Sequence, residues 1–318
     1  MAAEPEISVV VPVFNGENYL GACLSSVALA VEALAPEERE RVEVIVCDNH
    51  STDASRQIAE AVRFACASRI VSPPQHEENR TRNWAHGLGL AEGRWTMMLH
   101  HDDLMAVGGL ATQLDHCTRP GLERVTMIAG RHRVFSEPRS PGLLRPVLQP
   151  EGTIAGSAVR RRVLAYHCPF VPFTLFRRAA YEAVGGLDPR WQLVQDWVLW
   201  MRLLERGDLR FHSDEVGWWR QHGTGPGYRA MNAREHVELA AELQSLMPTV
   251  PPRVRARARE IALDRAALQL AEVEGADVGW LDGVSLPPVP EAQARHGRRL
   301  RRVSASMTLL RLGAMAAR

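Results

Sequence analysis

Lysine is missing altogether, and all 38 basic residues are arginine. Chemistry that needs a lysine amine, such as Schiff-base catalysis or the lysine of a phosphate-binding P-loop, is therefore excluded. An excess of one charge is also missing: 37 acidic residues leave a net charge of +1. No overall field draws the chain to nucleic acid, and no nucleic-acid partner is expected. Cysteine is scarce. The five, at 23, 47, 66, 117 and 168, are odd in number, scattered and without a C-x-x-C pair. That argues against a disulfide framework or a zinc site and for a reducing compartment. No stretch approaches the roughly 18–20 uninterrupted apolar residues of a membrane span. The opening MAAEPEISVVVPVF has neither the basic start nor the apolar length of a signal peptide. The expected location is cytoplasmic.

The composition that remains, 46% hydrophobic and 24% charged over 318 residues, suits an ordinary globular chain of one large domain or two lobes. Its first hundred residues alternate strand and helix signals. Ile7 to Val13 is a β-branched apolar run, as in a parallel strand buried on both faces. Leu20, Leu24, Val27, Val31 and Leu34 then recur at helical spacing. Val42 to Val46 predicts a second strand. Ser51, Thr52 and Asp53 are candidate N-caps for a helix toward Arg63. A strand at Arg69–Val71, a helix from Asn79 to Ala91 and a strand from Trp95 to Leu99 complete a β-α-β-α-β series. This predicts an α/β fold with a twisted, mostly parallel sheet and helices on both faces.

Further along, a helix is expected at Leu110–His116 and a strand at Val125–Ala129, followed by a long loop from Ser136 to Gly156. Regular elements resume with a strand at Phe173–Phe176, a helix at Ala179–Val184 and a helix starting near Asp196. Strands follow at Leu209–His212 and Val216–Arg220. Helices broken at Pro248, Pro251 and Pro252 form a helical C-terminal extension. The segment Arg295 to Arg318 is basic and amphipathic.

Polar residues collect at the carboxyl ends of the predicted strands, where open α/β sheets bind ligands. Strand one ends in Pro12-Val13-Phe14-Asn15, strand two in Asp48-Asn49, strand four in His100-His101-Asp102-Asp103. Taken alone, Asp48, Asn49, Ser51 and Asp53 are as well explained by a turn and a helix cap as by a ligand. The second acidic pair says more. Adjacent carboxylates repel unless a cation lies close, and Mg²⁺ or Mn²⁺ shared with a diphosphate suits them. A zinc site made from the His pair is weaker, because neighbouring strand residues face opposite ways. Gly87, Gly89 and Gly93 do not have the spacing of a dinucleotide fingerprint.

These residues carry a resemblance. ISVVVPVFNGENYL, VIVCDNHSTDAS and ENRTRNWAHGLGLAEGRWTMMLHHDDL resemble the nucleotide-binding half of family 2 glycosyltransferases with the GT-A fold. FRRAAYEAVGGLDPRWQLVQDWVLWMRLLERG and WWRQHGTG resemble the acceptor half. The motifs fall in matching order from about residue 6 to about residue 225. Residues 1–105 would then be the nucleotide-sugar half, 106–230 the acceptor half of the same domain, and 231–318 the helical extension.

The resemblance implies roles. Pro12, Phe14, Asn15, Glu17 and Asp48 would hold the nucleoside, with Asp48 reading the base. Asn79, Arg82 and Asn83 match the family's Asn…Arg-Asn segment. Asp102 and Asp103 match the metal motif, one on the ribose or sugar and the other on the cation. His100 stands where an acid is frequent, which leaves the assignment within that pair open. Asp196 matches the catalytic base, although the acid often found just before it is Gln195 here. His222 matches a His that approaches diphosphate or metal.

The expected activity is therefore inverting, metal-dependent transfer from a nucleotide diphosphate sugar, a UDP-sugar first, to a glycan or small-molecule acceptor. The alternative is a non-catalytic member that only binds nucleotide or glycan. A sugar-phosphate nucleotidyltransferase is disfavoured, because Asn15-Gly16-Glu17-Asn18 is neither glycine-rich nor basic. For the C-terminal extension, peripheral membrane contact and a homodimer are both expectations.

Overall fold

A computed structural model describes residues 4–136, 143–144, 151–165, 173–221, 226–275, 279–281 and 284–298. In chain order its elements are β1 (Ile7–Val13), α1 (Glu17–Glu32), α2 (Pro36–Arg39), β2 (Val42–Asp48), α3 (Ser55–Ala61), β3 (Ala67–Val71), α4 (Arg80–Gly89) and β4 (Trp95–Met98). Then come β5 (Leu104–Met105), α5 (Gly109–Thr118), β6 (Val125–Phe135), β7 (Leu143–Leu144), β8 (Gly152–Ile154) and α6 (Gly156–Ala165). The series closes with β9 (Leu175–Arg177), α7 (Arg178–Ala183), α8 (Gln195–Arg206), β10 (Asp208–Arg220), α9 (Pro226–Leu246) and α10 (Pro252–Leu270).

The strands form one sheet in the order β3-β2-β1-β4-β9-β6-β10-β5. β1 lies between β2 and β4, parallel to both, with Val13 opposite Asp48 and Val10 opposite Met98. Every residue of β1 and β2 is buried, which is why both read as unbroken apolar runs. β9 enters antiparallel between β4 and β6. The chain winds from β1 to β2 and β3 on one side, then crosses back to β4 on the other. The crossing opens a crevice at the carboxyl ends of β1 and β4, the switch point of an α/β sheet.

Several predicted boundaries are corrected. Of Ser51, Thr52 and Asp53, it is Asp53 that serves the start of α3, its Oδ1 accepting from the Ser55 N–H at 2.9 Å. The strand at Val125 continues to Phe135, because β10 pairs with it along nearly its whole length. The two strands predicted at Leu209 and Val216 are one, β10, whose register against β6 shifts between Phe211 and Glu215. Three polar or charged residues there (Ser213, Asp214, Glu215) hide the continuity. The stretch expected to be loop contains β7, β8 and the start of α6. Its residues 137–142 and 145–150 lie outside the described residues, as does Cys168.

The described residues divide into two units. One holds the sheet with α1–α5, α7 and α8; the other holds most of α6 with α9 and α10. In the second, α9 and α10 pack through Ala233, Val237 and Ala266. Pro252 occupies the first turn of α10, where its missing N–H costs nothing. Residues 289–298 are helical, and Arg295 there donates to the buried Asp264 at 2.6 and 3.0 Å. The rest of the basic segment, from residue 299, lies outside the described residues. Among the described residues no helix is long and apolar enough to cross a membrane.

Candidate functional site

Because β1, β2 and β4 run parallel, their carboxyl ends bring residues 12–17, 48–55 and 100–103 to one edge of the sheet. The first two loops are laced together. The backbone N–H groups of Asn15, Gly16 and Glu17 donate to Ser51 Oγ (3.0 Å), Ser55 Oγ (2.8 Å) and Asp53 Oδ2 (3.0 Å). In return Asn15 Oδ1 accepts from the Thr52 N–H at 2.8 Å and Glu17 Oε2 from the Ala54 N–H at 3.0 Å. The orphan donors at the start of α1 are thus satisfied by the facing loop rather than by a local cap. Asn15 sits at φ 49°, a left-handed conformation that Asn tolerates.

Pro12 is buried beneath this rim, and Asp48, only 3% exposed, accepts from the Ser51 N–H at 3.1 Å. Phe14 projects outward, 43% exposed, with the His76 ring 4.7 Å away. Asn49 holds the His76 segment in place: its side chain donates to Glu77 O at 2.7 Å and accepts from the Glu77 N–H at 2.8 Å. The aromatic pair is the exposed apolar feature of the rim. His76 was not legible beforehand, since PPQHEE carries no periodicity.

The turn after β4 holds the charge. Asp103 is fully buried; its Oδ1 accepts from the Arg220 N–H at 2.7 Å, and its Oδ2 lies 3.8 Å from His100 Nδ1. Asp103 Oδ2 and His100 Nε2 are buried with no hydrogen-bond partner. Burial, reinforced by the charge of Asp102, raises the Asp103 carboxyl well above the usual carboxylate range, against the pull of Arg220. Burial pushes His100 down to about 4, against Asp102 and with help from Arg80 and His101, so its imidazole is neutral at neutral pH. One ligand atom each from His100, Asp102 and Asp103 lies within 4.8 Å of the others. A neutral imidazole and two carboxylates, two of the donor atoms unpartnered, fit a divalent cation. His100 therefore joins the set from which sequence reasoning left it out.

Arg80 brings a guanidinium near this turn. It lies 4.5 Å over the Trp84 ring, which in turn is 4.8 Å from the His100 ring. Arg82 is exposed on the first turn of α4. Asn79 caps α4, accepting from the Thr81 and Arg82 N–H groups, and its Nδ2 donates to Pro189 O at 2.7 Å. Asn83 is buried beneath the rim, its Nδ2 3.4 Å from Cys47 O and 3.5 Å from Val13 O, which ties α4 to both strand ends.

Asp196 lies in the first turn of α8, partly buried, with Oδ1 accepting from the Trp197 N–H at 2.6 Å. A helix N-terminus favours negative charge. The segment leading into α8 docks on the start of α4, through Asn79 to Pro189 and Thr81 Oγ1 to Trp191 O at 2.7 Å. A continuous series of contacts thus runs from the 100–103 turn through Trp84 and the start of α4 to the segment carrying Asp196. Gln195 beside it is buried, 3% exposed. Trp191 and Trp200 belong to the core, while Trp197 is half-buried. His222 lies outside the described residues.

Gly16 couples rim and turn. A Cβ there would come within 2.4 Å of His101 Cδ2 and 2.9 Å of Val13 Cγ2. Gly16→Ala is expected to cost about 1–3 kcal/mol of stability, as overpacking usually does. It should also displace the 100–103 turn, because His101 sits next to Asp102. Chemical denaturation checks the loss of stability.

Residues 8–185, more than half of the chain, match the profile of Glycosyl transferase family 2. An uncharacterized glycosyltransferase of Rickettsia bellii (strain RML369-C) is 24% identical over 226 residues, covering 66% of this chain but only 30% of its own length. Residues 1–349 of TarS from S. aureus, solved in complex with UDP-GlcNAc, superpose with TM-score 0.61 at 17% identity, over 94% of this chain and 80% of that one. The mannosyltransferase PcManGT from Pyrobaculum calidifontis, solved with GDP-Man and Mn²⁺, gives TM-score 0.56 at 18% identity, over 96% and 84%. Family profile and fold agree, and the chain belongs to glycosyl transferase family 2 with a GT-A fold.

Proposed function

We propose that the protein transfers a sugar from a UDP-sugar to a hydroxyl of a glycan or small-molecule acceptor, with inversion at the anomeric carbon and dependence on a divalent cation. The observation that carries this reading is the 100–103 turn, where ligand atoms of His100, Asp102 and Asp103 gather within 4.8 Å and His100 Nε2 and Asp103 Oδ2 are buried without a hydrogen-bond partner. Asp102, Asp103 and His100 would hold the cation, with His222 as a further proposed ligand; a nitrogen donor favours Mn²⁺ over Mg²⁺. When bound, such an ion neutralises charge on the departing diphosphate.

The chain's own groups do the rest. Phe14 and His76 would flank the base and Asp48 would accept a hydrogen bond from it. The rim of Pro12, Asn15 and Glu17, with Asn79, Arg82 and Asn83 on α4, would frame the nucleoside, and Arg80 would place positive charge near the phosphates. Asp196 would take the proton from the acceptor hydroxyl as its oxygen bonds to the anomeric carbon and the bond to the diphosphate breaks. On this reading residues 1–105 bind donor, 106–230 bind acceptor, and 231–318 serve membrane-surface or homodimer contact at the cytoplasmic face. A UDP donor is supported by the TarS likeness, since that protein was solved with UDP-GlcNAc; the GDP-Man of PcManGT makes guanosine the comparison to run.

A thermal-shift panel of UDP, UDP-sugars and GDP-mannose with and without Mn²⁺ tests the donor. The matching nucleotide at 100 times its Kd should add about 2.7 kcal/mol of stability. The gain should depend on Mn²⁺ and be lost in Asp102→Asn. Silence from every nucleotide would overturn the donor assignment.

A further inference from the structure

Outside the donor site, the described residues hold one other group of potential metal ligands: His116 in the last turn of α5, and His212 and Asp214 on β10. His212 is fully buried, yet neither of its ring nitrogens has a hydrogen-bond partner, and His116 Nδ1 also lacks one. An imidazole so enclosed without a partner calls for a ligand. A single oxygen, Asp214 Oδ2, lies 3.2 Å from His116 Nε2 and 3.4 Å from His212 Nδ1. Two donors each bonded at about 2.0–2.1 Å to a tetrahedral zinc are separated by about 3.3 Å. The observed separations match that edge. We propose that His116, His212 and Asp214 form a second metal site, for a divalent transition ion of the zinc class, that clamps α5 to β10.

The chemistry suits such an ion. Burial lowers the pKa of both imidazoles, so they are neutral at neutral pH, the form that ligates. Asp214 is half-exposed, which leaves an entry path and a fourth position for water. The rings stack in parallel 4.0 Å apart, so binding turns one of them until the two nitrogen lone pairs converge. Gly130 lets the His212 ring sit this close to β6: a Cβ there would lie 2.5 Å from His212 Cε1. Arg119 and Arg210 place positive charge nearby, Arg119 already paired with Asp115, and they set the affinity below that of a purely acidic site. The cluster shares no residue with the 100–103 turn.

Calorimetric titration of Zn²⁺ into chelator-stripped full-length protein tests the site, with the Asp102→Asn variant isolating it from the donor turn. Asp102→Asn should still bind one Zn²⁺. Adding Asp214→Asn should weaken that binding at least tenfold, and His116→Gln should do the same. Asp214 is half-exposed, so its replacement leaves folding intact, which circular dichroism verifies. Co²⁺ should give the intense visible bands of a tetrahedral centre in Asp102→Asn and lose them in the double variant. The proposal is overturned if Zn²⁺ binding vanishes with Asp102→Asn alone, if it is indifferent to Asp214→Asn and His116→Gln, or if no Zn²⁺ binds.

Discussion

Replacing Asp196 with Asn is expected to slow sugar transfer by about 10²–10⁴-fold, the usual contribution of a general base. Nucleotide affinity should be nearly unchanged. The substitution conserves shape, and an Asn oxygen can still accept from the Trp197 N–H that Asp196 Oδ1 now holds at 2.6 Å. What it cannot do is accept a proton. The loss should therefore fall on kcat and on kcat/KM alike, as when an interaction confined to the transition state is removed. The thermal shift given by nucleotide and Mn²⁺ should stay at the wild-type value. This pairing of results separates the two readings of the chain. A binding-only member would show the same thermal shift and no turnover for any Asp196 variant to lose. Near wild-type transfer by Asp196→Asn would move the base elsewhere. The docking of Asn79 and Thr81 on Pro189 and Trp191 predicts how the site fails from a distance. Loosening that contact should affect kcat and KM together, because it shifts the start of α8 relative to α4.

Much of this was legible in the sequence, for physical reasons that differ by region. β1 and β2 are buried on both faces between parallel neighbours, so their apolar runs carry their own signature. Asn79 could be read as the start of α4, because a short polar side chain before a periodic run is what a helix N-terminus needs. The same logic holds only in part at α3. Asp53 Oδ1 does accept from the Ser55 N–H, but Ser51 Oγ and Asp53 Oδ2 receive the N–H groups of Asn15 and Glu17, some 36 residues away in the chain. Long-range satisfaction of donors has no local pattern.

The acidic pair at 102–103 stood out because adjacent charges after an apolar strand need a reason. The contribution of His100 did not, since alternation along an extended strand would turn it away from its neighbours. The backbone instead turns after Leu99, and the Asp103 N–H donates to His100 O at 3.1 Å, bringing the imidazole back toward the carboxylates. Arg80 carries no motif position to mark it; only the fold of α4 brings its guanidinium near His100. The His116–His212 pair was invisible for a similar reason: it joins residues 96 apart, and half of it lies in an irregular stretch of β10.

The second large effect is on stability against acid. His212 and His236 are both buried and both pushed down to about 4 from an ordinary value of 6.5. Burial is the main cause in each. The charges of His116, Arg119 and Arg210 add to it at His212 against Asp214, and Arg265 adds to it at His236. Below pH 6.5 the unfolded chain takes up protons at these positions and the folded chain does not, so the unfolded state binds more protons and stability falls as pH falls. The stabilisation is complete above about 6.5 and is lost progressively toward 4, together on the order of several kcal/mol.

Asp103 acts in the opposite sense. Its carboxyl holds a proton more tightly when folded, so its contribution fades as pH rises above the usual carboxylate range. His100, also pushed down to about 4, adds to the two, so one group against three leaves a net loss on acidification, and Asp103→Asn, which removes the opposing group, should make the acid loss steeper. His212→Gln should make it shallower. Thermal unfolding in chelator at about pH 7 and about pH 5 reads these slopes directly. Equal midpoints at the two values would show that the two imidazoles are not held neutral by burial. Zn²⁺ at the second metal site should shift the acid loss to lower pH in wild type and leave Asp214→Asn unmoved, because a bound ion must be displaced before His212 can take up its proton.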